Sequence, residues 1–479
     1  MRDFRLIRRG FAYFQGAESE HYMNKRVILH SDINCCYASI EHLYHPEYAD
    51  CPLAVGGDPE ARHGIILTAD YPAKRKGVKT GMALWQAKKV CPDLVIVPAR
   101  MDLYLRFSRL AKEIYFHYTD RVESYGIDEC WLDVTESETL FGDGRRIAEE
   151  ISRRMKEELG ITVSIGVSYN KIFAKLGSDY KKPDGITTIY PEEMQSKVWP
   201  LPASDLLYVG NSTANKLRRM GILTIGNLAQ APKSWLEREL GRMGDILHTY
   251  ANGWDCSEVA IEDRKAEMKS VGNSITTPRD LTTFEDVRIV IFMLSESVAS
   301  RLREYGFRCN GVELWIRENR ETASTRLTST DIISGSFPAQ YRDTGESKDG
   351  LSGNFYSCQR QKLFMNATNL SGEIARAACT LFQKNCDLIY PVRSLGVRAI
   401  RLEMGQEWEQ GCLFSDMERR ERQKKAEYAV DTVRERFGYG SIQRGVLYCD
   451  RELGGMNLPD PKVRRQQVGL PPSLFGKKQ

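Results

Sequence analysis

Hydrophobic positions recur along this chain in two rhythms. Between Val27 and about Tyr190, strand-like runs rich in β-branched residues alternate with segments of helical spacing, as in an α+β or α/β unit. The run 26–37 is apolar until Asp32, then passes through Asn34, Cys35 and Cys36 to Tyr37. The run 124–133 carries Asp128-Glu129 beside Gly126 and continues as a second strand. In 101–118, Met101, Leu103, Leu105, Phe107, Leu110, Ile114 and Tyr115 predict an amphipathic helix. Ile147, Ile151 and Met155 predict another over 144–159. Residues 161–168 read as a strand that enters a helix at Asn170. The acid-bearing strands and this one are expected to form a small sheet with helices on one face.

The pattern changes near 191 to short helices. Asn211-Ser212-Thr213 supplies capping residues and Gly221 a stop, and a second helix follows within 222–228. Residues 261–269 are charged and read as a tether. Strand-like 311–316 and helical 287–304 and 371–385 imply a separate α+β domain to about 405, with a Gly/Ser/Asp-rich surface loop over 343–360. The tail is polar from 406, helical over 416–436, then rich in Pro and Gly. Residues 1–24 read as an N-terminal extension.

A length of 479 residues suggests about three domains. Net charge is only +4, but basic residues cluster at Lys74-Arg75-Lys76, Lys88-Lys89, Lys181-Lys182, Arg218-Arg219 and 419–425. Such local patches suit a nucleic-acid path, although each alone reads as a solvated helix face. The 12 cysteines form no CxxC pair or Cys/His metal spacing and read as reduced core thiols of a cytoplasmic protein. No run approaches the length of a membrane span.

Asp32, Asp128 and Glu129 are acids at strand ends wrapped in hydrophobics, costly unless paired or metal-bound. Hard divalent cations take carboxylate oxygens, and a pair of such ions can hold both oxygens of a phosphoryl transfer. Neighbouring strand residues point to opposite faces, so Asp128 and Glu129 converge only at a distorted strand end, for which Gly126 gives freedom. Tyr71 and Lys74, three residues apart, share a helix face and can contact a triphosphate. Lys182, in the turn after the helix containing Lys171 and Lys175, can reach inward. Segment 206–228 reads as a helix-hairpin-helix, with a plain αα-hairpin as the alternative. Its 221–226 hairpin is expected to offer free backbone amides to a phosphate.

Asp32 to Tyr37, Tyr71 to Lys74, Asp128-Glu129, 166–171, 182–185 and the glycines Gly210, Gly221 and Gly226 occur in an order that resembles the Y-family translesion DNA polymerases. The resemblance covers about 25–410. It implies an α+β, multi-domain right hand: palm (25–35 and 101–190), fingers (36–100), helical thumb (191–260), linker (261–269), α/β little finger (270–405) and a C-terminal tail (406–479). It implies a Mg2+-dependent polymerase of low fidelity that copies damaged DNA.

Carried over residue by residue, Asp32, Asp128 and Glu129 match the ligands of two Mg2+ ions, joined by the carbonyl of Ile33. Tyr37 matches the steric gate against a 2′-hydroxyl. Tyr71, Lys74 and Lys182 match nucleotide contacts, with Lys74 standing where arginine is common. Asn34 replaces a common aspartate, and Cys36 is smaller than the usual aromatic. Gly210, Gly221 and Gly226 match DNA-binding positions. Gln410, Leu413 and Phe414 resemble the bacterial sliding-clamp-binding peptide, the alternative being packing on the chain's own 416–436 helix. The implied partners are primer–template DNA, deoxynucleoside triphosphates and the clamp, with the protein itself a monomer. Rival readings are a catalytically silent DNA- and clamp-binding scaffold and a two-metal nuclease, which has no use for Tyr37 as a gate.

Overall fold

All six residues of the first strand, Ile28–Ile33 (β1), are buried, polar ones included. A strand so covered must have layers on both faces. The computed structural model describes residues 25–57, 64–261, 268–319, 357–404 and 417–456. The chain divides into two compact units, whose described residues span 25–261 and 268–456.

In the first unit, β1 is followed by helix Cys36–Tyr44 (α1), strands Leu53–Gly56 (β2) and Ile66–Ala69 (β3), and helices Tyr71–Arg75 (α2) and Leu84–Val90 (α3). Next come strand Val95–Pro98 (β4), helix Met101–Phe116 (α4), and strands Val122–Ser124 (β5) and Glu129–Asp133 (β6). Helix Gly144–Leu159 (α5), strand Val163–Ser168 (β7), helix Lys171–Tyr180 (α6) and strand Ile186–Ile189 (β8) complete this part. The central sheet has the order β5-β6-β1-β7-β8, with β1 antiparallel to both β6 and β7. Strands β3-β2-β4 form a smaller sheet, which shares a core of Ala54, Ile66, Ala69, Leu84 and Leu94 with α2 and α3.

The expectation of helices on one face is corrected here: both faces are covered. Leu29 and Val167 are register partners that lie under Gly144 of α5, and Ser31 bonds Tyr115 of α4. On the other face, His30 pairs with Gly166, over which α6 lies. A Cβ on Gly166 would sit 1.9 Å from the Ala174 carbonyl oxygen and 2.5 Å from the Ser178 nitrogen. The missing side chain lets α6 approach the sheet closely enough for its polar face to reach the acids.

Helices Asn211–Arg219 (α7), Ile225–Gln230 (α8), Lys233–Leu240 (α9) and Arg242–Ala251 (α10) follow, packed through Leu217, Ile222, Leu228, Leu236 and Leu247. The second unit contains strand Ser270–Leu281 (β9), helix Phe284–Glu304 (α11), strands Phe307–Glu318 (β10) and Ser357–Thr368 (β11), helix Ser371–Asn385 (α12) and strand Val392–Met404 (β12). Its antiparallel sheet runs β11-β10-β12-β9, with α11 and α12 contributing to one apolar core. Helix α11 begins three residues before the sequence suggests, because Thr283 caps it, accepting from the Asp286 amide at 3.2 Å. The tail helix, Met417–Phe437 (α13), is attached through charge: buried Arg303 meets Glu427 and Asp431, and Arg434 meets Glu296 at 2.7 Å. The extension 1–24 and the segment with Gln410, Leu413 and Phe414 lie outside the described residues.

Candidate active site

Asp32 and Glu129 are direct register partners across β1 and β6, so both project from one face of the sheet, with His30 and Trp131 below them. Asp128 immediately precedes β6. Its carbonyl accepts from the Ile33 amide at 3.0 Å, which pins the strand end beside Gly126, at φ 93°. The site is thus built by adjacent strand ends, as the distorted-end argument requires.

Helix α6 supplies the counter-charge. Asn170 caps it, accepting from the Phe173 amide at 2.8 Å. Lys175 lies 2.9 Å from Glu129 Oε2 and 3.5 Å from Asp32 Oδ2. Lys182, in the following turn, does reach inward: its Nζ is 2.7 Å from Asp32 Oδ2 and 2.7 Å from Asp179. His30 Nε2 is 3.1 Å from Glu129 Oε2, while its Nδ1 faces Ser178 Oγ at 2.8 Å. The Ser178 hydroxyl also lies 2.8 Å from the Lys175 carbonyl oxygen.

These neighbours separate the acids electrostatically. Burial, then the negative charges of Asp32 and Glu129, push the Asp128 carboxyl up to about 6. Burial acts upward on Glu129 too, but His30 and Lys175 hold it below its ordinary value. Lys182 is raised despite burial, because Asp32 and Asp179 favour its charged form. Among the described residues no set of His, Cys, Asp or Glu side chains is already gathered as a metal cage. The lysines occupy that role for Asp32 and Glu129. The donor set nevertheless suits a hard divalent cation: all oxygen, and so buried and crowded with negative charge that Asp128 resists ionising.

Tyr37 projects from α1 with its ring stacked on Tyr104, centroids 4.3 Å apart and planes within 10°. Tyr104 donates to Glu41 Oε1 at 2.5 Å, and the Arg100 fork grips the same buried carboxylate. Tyr71 and Lys74 share α2: Lys74 Nζ lies 5.1 Å from the Tyr71 ring centroid and 3.2 Å from Cys35 Sγ. The Tyr71 hydroxyl reaches Asn34 Oδ1 at 3.2 Å.

Sequence reasoning overlooked Lys175 as a partner of the acids, although the i, i+4 spacing of Lys175 and Asp179 was a readable signal. It also missed the Glu41–Arg100–Tyr104 lock behind Tyr37.

The hairpin expectation requires correction. The 221–226 amides are engaged internally. Gly221 and Ile222 donate to Arg218 and Leu217, Leu223 and Thr224 to Asn227 Oδ1, and Ile225 and Gly226 to Leu201 and Trp199. Gly226 is buried, and a Cβ there would press on Trp199 at 3.0 Å. Gly210 differs: it precedes α7, is exposed, and has open space around it. The unbonded amides expected of a helix start therefore lie at α7.

The architecture is that of a Y-family polymerase. A Dbh–Dpo4–Dbh chimera of that class matches with a TM-score of 0.63 at 23% identity, covering 79% of this chain and 100% of its own. Residues 31–179 match the impB/mucB/samB family, 268–412 the C-terminal domain of that family, and 204–255 the thumb domain described for DNA polymerase-iota. A DNA polymerase IV of Acetivibrio thermocellus is 47% identical over 429 residues, 90% of this chain and 99% of that protein. One of Clostridium kluyveri is 35% identical over 428 residues, 88% and 98% of the respective chains. The chain belongs to the impB/mucB/samB family of Y-family DNA polymerases. It is a DNA-directed DNA polymerase acting on primer–template DNA and nucleotides, in a family generally dependent on a divalent metal. No helix among the described residues is long and apolar enough to cross a membrane.

Proposed function

We propose that this translesion polymerase performs nucleotide addition at the acid cluster of Asp32, Asp128 and Glu129. The observation that carries the reading is the register pairing of Asp32 with Glu129, with Asp128 crowded against both. Those carboxylates and the Ile33 carbonyl would hold two Mg2+ ions, which when bound activate the primer 3′-hydroxyl and offset charge on the leaving pyrophosphate. Lys182 presents positive charge to the triphosphate, and Lys175 balances the acids from below. Tyr71 and Lys74 contact the phosphates from α2. The Tyr37 ring, backed by Tyr104, fills the space a 2′-hydroxyl would need. No side chain is assigned as general base.

In this reading the palm is 25–35 with 101–190, the fingers 36–100, the thumb 191–260, the linker 261–269 and the little finger 270–405. The separate sheets and the separate helical core support these divisions. The exposed Gly210 and the start of α7 seat a DNA phosphate, positioning the duplex without reading its sequence. Gln410, Leu413 and Phe414 anchor a sliding clamp, and the enzyme works as a cytoplasmic monomer.

Primer extension with Mg2+ on an undamaged and an abasic template tests the whole reading. Extension of both is expected, with pyrophosphate released. Binding of primer–template without any extension would replace the polymerase by a scaffold.

A further inference from the structure

Asn34 stands just beyond the acid-bearing strand and is 2% exposed. Its amide donates to the Thr162 carbonyl at 3.0 Å, and its carbonyl accepts from Ser39 Oγ at 2.6 Å. Its side chain joins separate elements. Nδ2 donates to Thr162 Oγ1 at 3.1 Å, while Oδ1 accepts from Ser164 Oγ at 2.8 Å and from the Tyr71 hydroxyl at 3.2 Å. Ser164 sits on β7 as the register partner of Asp32, and Tyr71 opens α2. One amide oxygen therefore ties Tyr71 to β7, the strand paired with the one that carries Asp32.

We propose that Asn34 is a positioning residue for the incoming nucleotide: it parks the Tyr71 hydroxyl in the pocket and releases it to a phosphate oxygen. This rests on the reading of Tyr71 as a triphosphate contact. A phenol has one proton to donate. While that proton points at Asn34 it is withheld from a phosphate, so binding must re-aim it. A charged phosphate oxygen is the stronger acceptor, which favours the exchange. Release leaves no orphan, because the shorter Ser164 bond still satisfies Asn34 Oδ1. An aspartate at 34 would grip the phenol proton by a charge-assisted bond and set a negative charge beside the phosphates. The amide does neither.

The test is single-nucleotide incorporation with Mg2+ as a function of nucleotide concentration. The proteins are wild type, Asn34→Ala, Tyr71→Phe, the double variant and Asn34→Asp. Asn34→Ala removes a bond that binding must break, so it is expected to lower KM about three- to tenfold with kcat within about twofold, the scale of one hydrogen bond. Tyr71→Phe raises KM, and the double variant matches Tyr71→Phe alone. Asn34→Asp, which keeps the acceptor for Ser164 and hence the local fold, raises KM about threefold. A raised KM in Asn34→Ala, or effects of Asn34→Ala and Tyr71→Phe that multiply or fall on kcat alone, would overturn the proposal and leave Asn34 a structural residue. An unchanged KM in Asn34→Asp would overturn the release step. An unchanged KM in Tyr71→Phe would instead remove the triphosphate contact itself, and the proposal with it.

Discussion

At the residue scale, the proposed sugar gate is a ring backed by a fixed neighbour. Tyr37 stacks on Tyr104, whose hydroxyl is fixed by Glu41, itself held by Arg100. Tyr37→Ala removes the ring and leaves the lock behind it intact. Discrimination against ribonucleotides is expected to fall at least about tenfold, measured as the ratio of kcat/KM for matched deoxy- and ribonucleotides. An unchanged ratio would place the gate elsewhere. The positions of the acids and Tyr37 were legible because each borders a short apolar run, which fixes its place in the chain. The lock was not. Arg100 and Glu41 are 59 residues apart in sequence, and such a pairing leaves no local periodicity to read. Asn34 was read only as an aspartate lost, since its partners lie on a distant strand and a different helix.

At the scale of elements, hydrophobic periodicity predicted the helices Gly144–Leu159 and Ser371–Asn385 to the residue, because each carries one apolar stripe. It misjudged the sidedness of the central sheet. A strand buried at every position, like β1, shows no alternation and so does not reveal how many faces are covered. The hairpin's amides, rather than the helix-hairpin-helix itself, were misread for a different reason. A glycine-bounded turn suggests free amides, but Asn227 reaches back and takes those of Leu223 and Thr224. Asn227 and Thr224 form a reciprocal cap at the start of α8. Asn227→Ala should therefore cost about 1 kcal/mol of stability, seen as a lower melting temperature. If those amides contacted DNA instead, the variant would change affinity for primer–template and leave melting unaltered.

At the scale of the whole molecule, the second unit couples its C-terminal segment to its core through ion pairs that titrate. Arg279 lies 2.8 Å from Asp286 and 2.6 Å from Asp450. Burial would raise Asp286, but the Arg279 guanidinium and the Thr283 cap hold it below the usual carboxylate range. The Leu453 amide, and then Arg279, hold Asp450 low as well. A carboxyl depressed in the folded state stabilises above its ordinary value of about 4, and that stabilisation is lost as pH falls through the folded value. The melting-temperature gap between wild type and Arg279→Ala should thus be full at pH 6 and narrow below about pH 4. A gap that stays constant or widens on acidification would contradict the assignment.

Asp32, Asp128 and Glu129 are the proposed reacting centre, and Asp128 offers the cleanest probe. Among the described residues no lysine, arginine or histidine lies at ion-pair distance from it, so its replacement breaks no salt bridge. Single-turnover nucleotide incorporation should be compared for wild type and Asp128→Asn, alongside the affinity of each for primer–template. A rate about 100-fold or more lower is expected for Asp128→Asn, with DNA affinity within about twofold. Incorporation within a few-fold of wild type would contradict this assignment.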